Sequence, residues 1–130
     1  MGGIERVLDT SAALALIYGE PGGEKVRAAL PTAAMSAVNV SELLAVLTRD
    51  GFSEAQSTRM FQRLGLAVRD FTVADAAVAA RLHTARAEAR RISLGDRACL
   101  AAAHALGVPA MTCDRNWRGL DLGVRVEFIR

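Results

Sequence analysis

Short apolar runs alternate with helix-forming segments along the whole chain, and this alternation constrains the fold more than any other feature. Ile4–Leu8, Ala33–Val38, Leu66–Phe71 and Ala110–Thr112 read as strands. Near the end, Val124, Val126 and Phe128 alternate with Arg125 and Glu127, the pattern of a half-buried edge strand. Between these runs the spacing predicts helices over Ser11–Tyr18, Glu24–Leu30, Asn39–Arg49, Ser53 to about Gly65, Thr72–Arg90 and Ser93–Gly107. Asn39-Val40-Ser41-Glu42 and Ser93-Leu94-Gly95-Asp96 each offer an N-cap and an acid three residues later, the signature of a capping box. Strands alternating with helices imply βαβ units, hence a parallel sheet covered on both faces. The expectation is a three-layer α/β/α sandwich around a central, mostly parallel sheet of about five strands. With 130 residues, it is one domain over 1–130.

Composition narrows the function classes. Hydrophobic residues make up 52% and charged residues 23%, a globular balance that excludes a disordered tail. The apolar stretch Ala12–Tyr18 is far shorter than the ~20 residues of a membrane span, and Glu5 and Asp9 interrupt any early signal-like region. Cys99 and Cys113 provide neither a disulfide framework nor zinc spacing, so a reducing cytoplasm is expected. A net charge of +2 does not announce a nucleic-acid binder by itself. Its make-up is more informative, because fifteen of the sixteen basic residues are Arg and one is Lys25.

Four acids fall where an open α/β sheet binds ligands, beyond the carboxyl ends of its strands. Asp9 follows the first strand and Asp114 follows Ala110–Thr112, while Glu42 and Asp96 sit in the first turns of two helices. Each acid alone has a structural explanation: Glu42 and Asp96 as capping-box partners, Asp9 as a helix cap, Asp114 as a turn residue. Together they resist it. Two carboxylates about 6 Å apart repel by roughly 3 kcal/mol at an effective dielectric near 20. Such a cluster persists when a cation or protons neutralise it. All-oxygen donors favour a hard cation, Mg2+ or Mn2+.

Leu8-Asp9-Thr10-Ser11-Ala12, Ser41-Glu42-Leu43, Leu94-Gly95-Asp96-Arg97-Ala98 and Thr112-Cys113-Asp114-Arg115-Asn116-Trp117 resemble the signature blocks of the PIN domain. The resemblance is nearest to the VapC-type ribonuclease toxins of type II toxin–antitoxin modules, and it spans essentially the whole chain. It implies a Mg2+- or Mn2+-dependent endoribonuclease with Asp9, Glu42, Asp96 and Asp114 as metal-binding, catalytic acids. Ser11 and Thr112 match hydroxyl positions that line the site in this family, and a helix cap and a strand-end hydroxyl are their plain alternatives. The last block departs in two places: Trp117 stands where Phe is more usual, and Asn116 where some members carry a further acid, which leaves a second metal open. Trp117 reads as a packing anchor.

The resemblance also implies partners: an RNA substrate, a VapB-like antitoxin and a second copy in a homodimer. The helical pair carrying Leu43, Leu44, Val46 and Leu47, then Met60, Phe61 and Leu64, borders the antitoxin groove in this family, although core packing explains most of these side chains. Arg86, Arg90 and Arg91, with Arg97 and Arg115 beside the acids, suit either a track for RNA phosphates or a solvated face with local ion pairs. His83 and His104 lie inside predicted helices and have no assigned role. Two other readings are a housekeeping RNA-processing nuclease of the same family and a catalytically inert interaction module whose acids serve as caps.

Overall fold

The computed structural model describes residues 3–85 and 92–130. Strand β1 (Arg6–Leu8) passes through the single residue Asp9 into helix α1 (Thr10–Ile17). Helix α2 (Gly23–Ala29) and a 3-10 turn lead to β2 (Ala33–Ser36). Then come α3 (Ala37–Arg49), α4 (Glu54–Arg63), β3 (Ala67–Arg69) and α5 (Val73–Ala85). Helix α6 (Leu94–Leu106), β4 (Ala110–Thr112) and β5 (Val126–Phe128) complete the order.

The five strands form one sheet in the order β3-β2-β1-β4-β5, with every pairing parallel. From β1 the chain runs outward through β2 and β3, then returns to place β4 on the other flank of β1. The strand order therefore reverses beside β1, and the carboxyl ends of β1 and β4 form the switch point where open α/β sheets bind ligands in a crevice.

Successive residues of a strand face opposite sides of a sheet, and β1 uses both. Val7 joins one apolar cluster with Leu100 and Ala103 of α6, Trp117 and Leu122. Leu8 joins the other, with Ala12 and Ala15 of α1, Val26 of α2 and Ile129. A third cluster packs Met35 against Leu43 and Leu47 of α3, with Met60, Phe61 and Leu64 at its edge. Those apolar residues of α3 and α4 are thus core, as expected. Helix α6 is buried along Ala98, Cys99, Leu100, Ala101, Ala102 and Ala103, whose mostly small side chains suit a helix covered by protein. Gly107 closes it at φ 68°, a left-handed conformation that suits glycine. Trp117 is 2% exposed, so it is the packing anchor the sequence suggests.

The expected layers and strands are present, but several limits shift. The strand expected over Ala33–Val38 stops at Ser36, and the one over Leu66–Phe71 shortens to Ala67–Arg69. One correction bears on the site. Helix α3 starts directly from β2 with Ser36 as N-cap, its Oγ accepting from Val38 N at 3.2 Å. No loop separates strand and helix, so Asn39 and Glu42 lie inside the helix and form no capping box. Arg86, Arg90 and Arg91 lie outside the described residues.

Candidate active site

Asp9 is placed by two elements at once. It is the last residue before α1, where its Oδ1 caps the helix by accepting from Ala12 N at 2.9 Å. Ser11 Oγ donates to the same oxygen at 2.7 Å, and Thr112 Oγ1, at the end of β4, donates to Oδ2. Both hydroxyls also accept: Ser11 from Cys113 N at 3.1 Å and Thr112 from Asp114 N at 2.9 Å. Each hydroxyl has one proton, and both protons are committed to Asp9. Ser11 and Thr112 therefore orient this carboxylate and tie the loop after β4 to α1. A carboxylate has about four acceptor positions, so the three bonds from described residues leave one on Oδ2.

Glu42 reaches the crevice from α3. Its Oε1 accepts from Thr10 Oγ1 at 2.8 Å and from Asn39 Nδ2 at 3.0 Å. Its carboxylate rests against Gly95 in the first turn of α6, in space that a Cβ at position 95 would fill. One residue on, Asp96 completes the expected capping box: Ser93 N donates to its Oδ2 at 3.2 Å, and Ser93 Oγ accepts from Asp96 N at 3.1 Å. Asp114 caps the 3-10 turn after β4, accepting from Asn116 N at 2.9 Å.

The electrostatics tie the four acids to one place. Burial, together with the charge of Asp96, pushes the Asp9 carboxyl up to about 6, against the pull of its bonds to Thr112, Ala12 and Ser11. Burial also raises Asp96, with Asp114 and Glu42 adding like charge, against its bonds to Ser93. The thiol of Cys99, fully buried on α6, is raised by burial and then by Asp9, Asp96 and Glu42. Among the described residues, none of the four acids takes part in an ion pair.

A PIN domain family model matches residues 6–122 of the sequence. The chain belongs to the PIN domain family. No curated protein sequence matches it. Among solved structures, it is similar to a DNA-bound VapBC from Salmonella typhimurium, with a TM-score of 0.78 at 15% identity over 98% of this chain and 99% of that one. A toxin–antitoxin complex from Klebsiella pneumoniae gives 0.76 at 17% identity, covering 97% and 98%. VapBC-5 from Mycobacterium tuberculosis gives 0.63 at 24% identity, covering 100% and 99%. At these identities the likeness is one of fold.

Sequence reasoning missed three residues of this PIN domain's crevice. Thr10 and Asn39 hold Glu42, and Gly95 makes room for it. Thr10 and Gly95 lie within the quoted blocks but carry no separate signal, because their partners are distant in sequence. Of the basic candidates, Arg97 donates from Nη1 to the carbonyl of Ala79 on α5 at 3.3 Å, while Arg115 and Asn116 are exposed. His104 is exposed on α6.

Divalent-ion chemistry is a property of PIN nucleases in general, and the chemistry of the donors here fits it, though not yet their spacing: four carboxylates, none in an ion pair among the described residues, two of them raised by burial. Among the described residues, no three His, Cys, Asp or Glu side chains are gathered closely enough to hold a metal ion. Asp9, Glu42, Asp96 and Asp114 each rest on their own cap or hydroxyl bonds, and like charge opposes their closer approach.

Proposed function

We propose that this PIN domain, acting as one unit over residues 1–130, is a Mg2+- or Mn2+-dependent endoribonuclease of the VapC toxin type. One observation carries the reading: carboxylates from four separate elements feel one another's charge, Asp9 that of Asp96 and Asp96 that of Asp114 and Glu42, and among the described residues none of the four is in an ion pair. Asp9, Asp96 and Asp114 would hold the ion, together with Glu42. When bound, a divalent ion there supplies Lewis acidity to a phosphodiester and lowers the pKa of water. Ser11 and Thr112 fix the Asp9 carboxylate, and the Thr112 hydroxyl, which donates to Asp9 and accepts from Asp114 N, ties the residue after β1 to the turn after β4. Asn116, exposed two residues after Asp114, would serve as a neutral donor, and the exposed Arg115 would offer charge to an RNA phosphate. Arg86, Arg90 and Arg91 are proposed as further phosphate contacts. The toxin–antitoxin complexes among the solved structures support a VapB-like antitoxin as partner, and a cytoplasmic homodimer is part of the same reading.

A second reading has its own observation. Asp9, Asp96 and Asp114 each serve as a cap, which is all an inert interaction module would require of them. RNA cleavage separates the two. The nuclease cuts RNA with Mg2+ or Mn2+, stops with EDTA, and loses at least a hundredfold in rate in Asp96→Asn, which keeps the cap geometry. Cleavage that persists in EDTA and in Asp96→Asn would rule out this site, and no cleavage under any metal would favour the inert module.

A further inference from the structure

Asn39 is 1% exposed on α3, and its carboxamide spans two elements of the crevice. Nδ2 donates to Glu42 Oε1 at 3.0 Å and to the carbonyl of Gly95 at 3.0 Å, which accounts for both of its protons. Thr10 Oγ1 lies 3.4 Å from the same nitrogen and sends its own proton to Glu42. Among the described residues, Oδ1 is buried with no hydrogen-bond partner. Turning the amide over would not help, because Oδ1 would then face two acceptors, so the network fixes its orientation. A buried amide with an unmet acceptor destabilises the fold. An apolar side chain would avoid that penalty but leave Glu42 with Thr10 as its one described donor.

The consequence is a coupling between elements. Glu42 belongs to α3, whereas Gly95 immediately precedes Asp96 on α6. One carboxamide therefore links the Glu42 carboxylate to the residue that precedes Asp96. We propose that Asn39 is a positioning residue, which holds the Glu42 carboxylate against Gly95 and in register with Asp96, and so sets the affinity of the crevice for a divalent cation. The inference rests on the nuclease reading above, since that reading makes these carboxylates the ion's ligands. It goes further by assigning a role to a residue that acts through the Glu42 carboxylate.

Mn2+ titration calorimetry on the full chain tests it, using wild type, Asn39→Ala, Glu42→Gln and the double variant. Loss of an outer partner of a metal ligand weakens metal binding about 10- to 100-fold, and Asn39→Ala is expected to do the same. In the Glu42→Gln background the same change should cost less than about twofold, because the ligand it positions is already impaired. An equal loss in both backgrounds would make Asn39 a scaffold residue and overturn the inference while leaving the nuclease reading intact. Wild-type protein that binds no Mn2+ would overturn both. If Asn39→Ala does not fold, the side-chain amide protons of Asn39 in the otherwise native chain decide the question by NMR. They should shift on Glu42→Gln and again on adding Mg2+ to wild type. Resonances indifferent to both would overturn the inference.

Discussion

Burial lifts the Asp9 carboxyl from an ordinary value of 3.8 to about 6, and that shift has a sign in stability. Between those values the folded chain binds more protons than the unfolded one, so stability falls as pH rises. The contribution of protonated Asp9 is complete below pH 4 and gone above about 6, a loss of about 3 kcal/mol. Chemical denaturation of the metal-free protein should show this decline, and Asp9→Asn should flatten it. An unchanged pH profile in Asp9→Asn would mean that the burial of this carboxylate is relieved in solution. The same proton competes with a cation, so metal affinity should weaken below pH 6.

At the level of elements, the first turn of α6 combines two local requirements. Ser93 and Asp96 cap the helix, and Gly95 between them leaves room for a side chain from α3. Gly95→Ala favours the helix intrinsically by roughly 0.5–1 kcal/mol, since alanine loses less backbone freedom than glycine. Its Cβ, however, meets the Glu42 carboxylate, the movable end of a flexible side chain. The expected result is a melting temperature within a few degrees of wild type and a Mn2+ affinity at least tenfold weaker. Full affinity in Gly95→Ala would remove Glu42 from the ligand set. Much of this turn was legible beforehand, because Ser93-Leu94-Gly95-Asp96 is a local signal and both partners of the box lie within it. Asn39 defeats local rules for the complementary reason. It resembles a cap by local rules, but β2 runs into α3 at Ser36, and its amide is used 56 positions away at Gly95.

For the whole molecule, the charge balance gains meaning from its distribution. Sixteen basic residues face fourteen acids, and the four proposed ligands account for four of those acids, which leaves ten for the rest of the chain. An acidic crevice within an Arg-dominated surface suits a cation-dependent enzyme acting on a polyanion. Ions that bind the folded chain alone stabilise it by mass action, by about 2.7 kcal/mol at ~100 times Kd. Saturating Mn2+ should therefore raise the melting temperature at pH 7.5, with the rise abolished in Asp96→Asn. A melt insensitive to Mg2+ and Mn2+ at every concentration would point to the inert module.

The sequence by itself determined the layers, the parallel sheet and the caps at Asp9 and Ser93, because hydrophobic period and capping chemistry act within a few residues. It also marked Asp9, Glu42, Asp96 and Asp114 as a set. Only the tertiary structure decided what holds them. The bonds from Ser11 and Thr112 to Asp9, and from Thr10 and Asn39 to Glu42, and the gap at Gly95, mostly join positions dozens of residues apart. Such contacts form when the sheet brings β1 beside β4 and α3 against α6, and no local propensity encodes that approach.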